Sequence, residues 1–218
     1  MLNMAYYVPV MLNCEGRNCL IIGGGQVAER KVESLLAAGA SLHIISPILT
    51  ERLLQLAESE RIRWTRREYA DGDLKDAFLV HAATNDVQVN EAIALEADRL
   101  GVMVNVASRG ESGSFINPAV IRRGRLTLAV STSGAGPLAA KEICGRLEEQ
   151  LGEEVETYLE FLYRMRSAVK EQIESPSMRR KILRKIHEID ILQDIQRGSY
   201  IPWSPEQIEH WIIHNQEE

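Results

Sequence analysis

Asn18-Cys19-Leu20-Ile21-Ile22-Gly23-Gly24-Gly25-Gln26-Val27-Ala28 is the stretch whose reading decides the fold. Leu20-Ile21-Ile22 is a short apolar run of strand composition. It enters Gly23-x-Gly25-x-x-Ala28 and then a segment whose apolar residues, Val27, Val32, Leu35 and Leu36, recur at helical spacing. Strand, glycine turn and helix in that order form the context a dinucleotide fingerprint needs. Gly23 then allows the tight turn, Gly25 has no side chain to keep a diphosphate off the main chain, and Ala28 lets the helix lie close to the strand. The helix start adds unpaired N–H groups and a partial positive charge. A plain βα turn without a ligand is the competing reading of the same residues.

Outward from this unit, strand-like runs alternate with helical patterns as far as about Asn117. Gly39 closes the first helix, as a C-cap glycine does. Ser41 to Ser46 reads as a second strand that stops at Pro47, and Thr50 can cap a helix reaching about Glu60. Ile62 to Thr65 and Phe78 to Ala82 read as strands three and four, the latter followed by the polar turn Thr84-Asn85-Asp86. Val87 to Leu100 is helical, Gly101 ends it, and Val102 to Val106 is a fifth strand. The pattern predicts an α/β fold, a Rossmann-like doubly wound parallel sheet. Ligands of such sheets bind outside the C-terminal strand ends. Gly23–Gly25, Ser46–Pro47, Thr84–Asn85 and Asn105–Ser108 are therefore expected on one crevice.

Beyond Asn117 the character of the chain changes. Leu126 to Ser131 looks like a strand after a basic turn, Arg122-Arg123-Gly124-Arg125. Ser131-Thr132-Ser133-Gly134-Ala135-Gly136 is a loop of small residues, and Pro137 suits the first turn of a helix. Such a loop can hold an anion on its N–H groups or serve as a simple connection. The rest reads as helical, broken near Ser175-Pro176 and Trp203-Ser204-Pro205. Leu159, Leu162, Val169 and Ile173 form one expected apolar face, and Ile182, Ile186 and Ile189 another. The division expected is 1–117 for the sheet domain, 118–150 for a connecting segment and 151–218 for a C-terminal helical domain.

Composition narrows the classes. With 218 residues, 45% of them hydrophobic and 26% charged, the chain is long enough for a real core. A net charge of −6 gives no reason to expect nucleic-acid binding. The three cysteines, Cys14, Cys19 and Cys144, are odd in number and lack zinc-ligand spacing, which suits reduced thiols in a reducing compartment. No apolar run has the length of a membrane span and no leader pattern opens the chain, so a cytoplasmic protein is expected. Between Arg164 and Lys185 stand eight basic and two acidic residues, either a polyanion-binding face or a solvated one. His43 and His81 read as core or rim residues of strands. His210 and His214 share a helix face without an evident third ligand, so no metal site is expected. The second strand ends in Ser46-Pro47, where an Asp or Glu usually binds the ribose hydroxyls, and this leaves NAD and NADP undecided.

Together the motifs resemble a family. Gly23-Gly24-Gly25-Gln26-Val27-Ala28-Glu29-Arg30-Lys31 is similar to the opening of the precorrin-2 dehydrogenase/sirohydrochlorin ferrochelatase family, the dehydrogenase portion of sirohaem synthases. Further similarities follow in order: Ala82 to Asp86, Val104-Asn105-Val106, Phe115 to Ala119, Leu128 to Thr132, then Gly134 and Pro137. The resemblance covers roughly residues 5 to 150. It implies oxidation of precorrin-2 to sirohydrochlorin with NAD⁺, on the way to sirohaem or cobalamin. It also implies a homodimer that exchanges contacts through the 118–150 segment, and a helical domain that helps enclose the tetrapyrrole. A substrate with many carboxylates would suit the Arg164–Lys185 run. A methyltransferase portion has no room here, so precorrin-2 is expected from another protein.

Carried over by position, the resemblance puts the cofactor on Gly23, Gly24, Gly25, Gln26 and Val27, with Ser46, Pro47 and Ile48 at the end of the second strand. Thr84 and Asn105 lie towards the ribose–nicotinamide end, and Ser131, Thr132, Ser133 and Gly134 face the substrate. Thr132 matches a serine that is phosphorylated in fused enzymes. Ser108 takes the place of an aspartate assigned to catalysis or chelation. A serine is no general base at neutral pH without a partner, so the base stays open and metal insertion is expected to be weak or absent. An NAD(H)-sensing Rossmann binding module is the alternative of a different class, although the Phe115–Pro137 segment is not expected there. A short-chain dehydrogenase is disfavoured, because no tyrosine has a lysine four residues later.

Overall fold

Leu20, Ile21 and Ile22 are at most 2% exposed because β1 (Asn18–Ile22) is the middle strand of a five-stranded sheet. The computed structural model describes residues 7–107 and 112–217. They divide into two compact units, one ending at Asn117 and the other beginning at Pro118.

In the first unit β1 leads into α1 (Gln26–Ala37), β2 (Ser41–Ile45), α2 (Glu51–Glu58), β3 (Arg63–Thr65), β4 (Leu79–Ala82), α3 (Val87–Leu100) and β5 (Met103–Val106). The strand order is β3-β2-β1-β4-β5, and every pairing is parallel. Alternate residues of each strand supply two cores, as period-2 side chains must. Cys19, Ile21, Leu42 and Ile44 pack with Ala28, Val32 and Leu35 of α1. Leu20, Ile22, Ile45, Val80 and Val104 pack with Ile93 and Ala97 of α3. Each fully buried aliphatic side chain is worth roughly 2 kcal/mol, so these layers dominate the unit's stability. The helix ends follow the expected chemistry: Thr50 accepts from Leu53 N, Asp86 accepts from Gln88 N and Val89 N, and Gly101 closes α3 in the left-handed region.

The second unit starts with an antiparallel ribbon, β6 (Ala119–Arg123) and β7 (Leu126–Val130). Here the structure corrects an expectation, because Arg122 and Arg123 belong to a strand and only Gly124 takes a left-handed turn conformation. Period-2 exposure hid that strand, since Ile121 is buried while Val120 and Arg122 face outward. After α4 (Pro137–Glu149) come α5 (Glu153–Gln172), α6 (Pro176–Lys185), a 3-10 turn (Ile186–Glu188), α7 (Ile191–Gln196) and α8 (Pro205–Glu217). Phe161, Met165, Val169, Ile173, Ile182, Ile186, Ile208 and Ile212 make their core. The buried face of α5 thus runs through Phe161 and Met165, while Leu159 and Leu162 are only half-buried. All three cysteines are free and buried. Among the described residues no helix is long and apolar enough to cross a membrane.

Candidate functional site

Ile22 stands beside Ile45 of β2 and Ala82 of β4, and Ala82 beside Val106 of β5. The four C-terminal strand ends are therefore level, and the chain leaves all of them at one edge. Strand order reverses between β1 and β4 at that edge, the switch point where open α/β sheets bind ligands. Gly23–Gly25, Ser46–Ile48 and Thr84 all follow strand ends there.

The three glycines are glycine for different reasons. Gly23 has φ +113°, and a Cβ on it would lie 2.7 Å from the Ala83 carbonyl carbon. A Cβ on Gly24 would run into the Ile48 carbonyl oxygen and stand 2.9 Å from Ser46 Oγ. The turn after β2 thus lies directly against Gly24, and Thr50 N donates to Gly24 O at 2.9 Å. Around Gly25 there is open space, with nothing within 4 Å of an added Cβ. Gly25 is also the N-cap of α1, in extended conformation and without a side-chain cap. The helix therefore begins with uncapped N–H groups beside a Gly25 whose Cβ position is open, a combination that suits a diphosphate. Gln26 is exposed, Val27 half-buried and Ala28 fully buried against the strand.

Ser46 is buried, and its hydroxyl donates to Ile48 O at 2.7 Å, while its carbonyl accepts from Trp64 Nε1 at 2.9 Å. It shapes the turn and leaves Pro47 and the exposed Ile48 to face outward. Thr84 is likewise engaged inside its own turn. Its hydroxyl donates to Asn90 Oδ1 at 2.9 Å, and Asn90 Nδ2 donates to Thr84 O at 3.0 Å. Asn90, 1% exposed on the first turn of α3, is a residue the sequence reading missed. Its only signal is an amide side chain four residues after the Asp86 cap.

Asn105 does not present its side chain at the edge, as the crevice reading expected. It lies within β5 and is 6% exposed. Its Oδ1 accepts from His81 Nδ1 at 3.1 Å and Asn117 Nδ2 at 2.9 Å, and its Nδ2 donates to Phe115 O at 3.1 Å. His81 pairs with Asn105 across β4 and β5, and Phe115 meets its ring edge-on at 5.4 Å. Burial, helped by the Lys31 ammonium, lowers the His81 pKa to about 4, so the imidazole is neutral. Burial and the neighbouring Arg30 also hold the Lys31 ammonium below its ordinary pKa. The pairing of His81, Asn105 and Asn117 is a long-range event with no local sequence signal. Ser108 lies outside the described residues.

In the second unit Ser133, Gly134 and Gly136 have φ of +47°, +104° and +106°. Thr132 Oγ1 donates to Gly136 O at 3.2 Å, and Ser133 N donates to Ser131 Oγ at 3.4 Å. Nothing lies within 4 Å of a Cβ added at Gly134 or Gly136. The loop of small residues leads into α4, whose Gly136 N-cap makes no side-chain bond. Among the described residues no three His, Cys, Asp or Glu side chains gather as metal ligands.

Residues 10–119 match the family described as "Putative NAD(P)-binding". The chain belongs to that family. It is 35% identical over 192 residues to the siroheme synthase of Nitrosococcus oceani, a match covering 88% of this chain and 41% of that protein. With the siroheme synthase of Nitrosomonas europaea it shares 36% identity over 167 residues, covering 76% and 35%. The chain therefore spans less than half the length of these curated relatives. Among solved structures, SirC, a precorrin-2 dehydrogenase, is similar with a TM-score of 0.76 and 29% identity, over 97% of this chain and 100% of that one.

Proposed function

We propose that this chain oxidises precorrin-2 to sirohydrochlorin with NAD⁺ as electron acceptor. The observation that carries the reading is the open volume at Gly25, framed by two glycines closed off by the chain itself, in a protein similar to SirC over the whole of that structure. Bound there, NAD⁺ would supply a two-electron acceptor for the hydride lost from a ring carbon of the substrate, the accompanying proton going to a base or water.

The chain's own groups bind and orient. The N–H groups of Gln26 and Val27 at the start of α1 hold the diphosphate, and the absent Cβ of Gly25 lets its oxygens approach. Pro47 and Ile48 flank the adenosine ribose with main chain and apolar surface, in a turn that Ser46 holds in shape. Thr84 and Asn105 serve the nicotinamide end by fixing the backbone after β4 and along β5, since their side chains are already bonded within the protein. Ser131, Thr132, Ser133 and Gly134 offer hydroxyl and N–H donors to substrate carboxylates. Ser108 stands where the family has an aspartate, so proton removal falls to another group or to water.

We also infer a homodimer. A two-stranded ribbon is marginal alone, and β6 and α4 expose Val120, Leu138, Ile143 and Leu147. The cytoplasm, with its reducing conditions, suits three buried free thiols. The test is anaerobic incubation of the purified chain with precorrin-2 and NAD⁺, following NADH and sirohydrochlorin absorbance together. Equal, NAD⁺-dependent growth of both is expected, and no change at substrate-level enzyme refutes the reading. Tight NADH binding indifferent to any tetrapyrrole would instead favour the nucleotide-sensing module.

A further inference from the structure

Six residues of the basic run fall into two groups with different tasks. Arg164 donates to Trp203 O at 2.7 Å. Arg179 turns inward and donates to Ile173 O at 2.7 and 3.1 Å and to Lys170 O at 3.3 Å, closing the carbonyl end of α5. These two arginines are structural. Arg180, Lys181, Arg184 and Lys185 remain on the outer side of α6, opposite the buried Ile182 and Ile186. With Ser177 and Glu188 they line one surface recess of about 490 Å³.

This face works against its own helix. Arg180 and Arg184, like Lys181 and Lys185, are like charges at i,i+4, an arrangement that destabilises a helix. Arg180, Lys181 and Arg184 have no ion pair or hydrogen bond among the described residues. The helix dipole explains cations in the last turn, Arg184 and Lys185, but not the pair one turn earlier. Arg180, Lys181 and Arg184, three uncompensated cations on an acidic chain, are relieved by an anion spanning a helical turn. Two guanidinium forks among them favour carboxylate or phosphate oxygens.

We propose that the outer face of α6 is a binding site for a small polycarboxylate whose neighbouring acetate and propionate arms span a helical turn; that this ligand is a tetrapyrrole rests on the function proposed above. Size argues for a small molecule over a nucleic acid. The helix is about 15 Å long, the recess has small-molecule volume, and the rest of the chain is more acidic than the whole. Ser177 adds a hydroxyl at the rim, and Glu188 sets a boundary that an anion avoids.

Uroporphyrin III, with acetate and propionate arms, is the direct probe, followed by fluorescence on the full chain. Coproporphyrin, which keeps only the propionates, is expected to bind more weakly, and added salt to weaken both. Arg180→Glu and Arg184→Glu change exposed positions, and circular dichroism checks that each variant is folded. Each is expected to raise the Kd for uroporphyrin by about tenfold or more, since a charge-assisted contact becomes a repulsion. Unchanged uroporphyrin binding in both variants overturns the site. So does tighter binding of a duplex oligonucleotide than of uroporphyrin by wild type at the same salt. If wild type binds uroporphyrin through this face yet never oxidises precorrin-2, the reaction fails and the face stands. If oxidation proceeds while the variants bind uroporphyrin like wild type, the reverse holds.

Discussion

Gly24 and Gly25 are adjacent and chemically identical, yet their replacement by alanine should produce opposite phenotypes. In Gly24→Ala the new methyl would meet the Ile48 carbonyl oxygen, Leu49 Cδ2 at 2.7 Å and Ser46 Oγ at 2.9 Å. The first obstacle is backbone held by the Thr50–Gly24 hydrogen bond, so it cannot step aside cheaply. Overpacking of this kind costs about 3 kcal/mol, the upper end of the usual range. For a unit of this size that lowers the melting temperature by roughly 10 °C. In Gly25→Ala the methyl enters open space at φ −91°, ψ −171°, a conformation alanine adopts freely. Loss of unfolded-state entropy and the poorer capping of alanine nearly cancel, leaving stability within about 1 kcal/mol of wild type. The methyl then occupies the space meant for the diphosphate, and NAD⁺ affinity should fall at least about tenfold, or 1.4 kcal/mol. Thermal melts with and without NAD⁺, together with calorimetric titration, separate the two effects. A Gly25→Ala protein that binds NAD⁺ like wild type, or melts as low as Gly24→Ala, would refute the reasoning.

Three further outcomes follow from polar side chains bonded within the protein. The His81 pKa falls from 6.5 unfolded to about 4 folded, so between those values the unfolded chain binds the extra proton. Stability is therefore full above pH 6.5 and declines as pH falls towards 4, by up to about 3 kcal/mol. Urea midpoints across that range should show the decline in wild type, and the same slope in His81→Phe would contradict it. Glu96 is 2% exposed and accepts from Tyr69 Oη, from Gly72 N at 2.9 Å and from Leu74 N at 3.3 Å. Glu96→Ala orphans three donors and should cost about 3 kcal/mol in urea unfolding, with Glu96→Gln retaining part of it. Arg179→Ala should lower the stability of the helical unit by about 1–2 kcal/mol through its lost carbonyl contacts, while Arg180→Ala, which relieves a like-charge pair, leaves it unchanged or slightly higher. Equal effects of the two would remove the distinction drawn between them.

Local chemistry made the first unit readable from sequence. Its strands are short aliphatic runs, and its helices carry Thr50, Asp86 and Gly101 where capping demands them. β6 escaped because Arg122-Arg123-Gly124 has turn composition, and only pairing with β7 makes the arginines strand residues. In the site, Gly23 and Gly25 were legible, because a backbone requirement leaves its mark in residue type. The reason for Gly24 was not, since it depends on Ile48, distant in sequence and near in space. Asn105 looked like an edge residue for the same cause: whether an asparagine faces a ligand or a buried histidine is decided by a strand twenty-odd residues away.

The bond from Thr50 to Gly24 joins the two loops on which the halves of a dinucleotide would rest. Their mutual placement is set when the sheet assembles, and no later rearrangement is needed to aim one at the other. Capture should then follow a rigid-receptor course, quick and with little ordering of the polypeptide. The corollary is fragility of a particular kind: slackening the hinge between these loops would disable both footholds together, so heat-induced loss of grip and melting of the sheet ought to coincide.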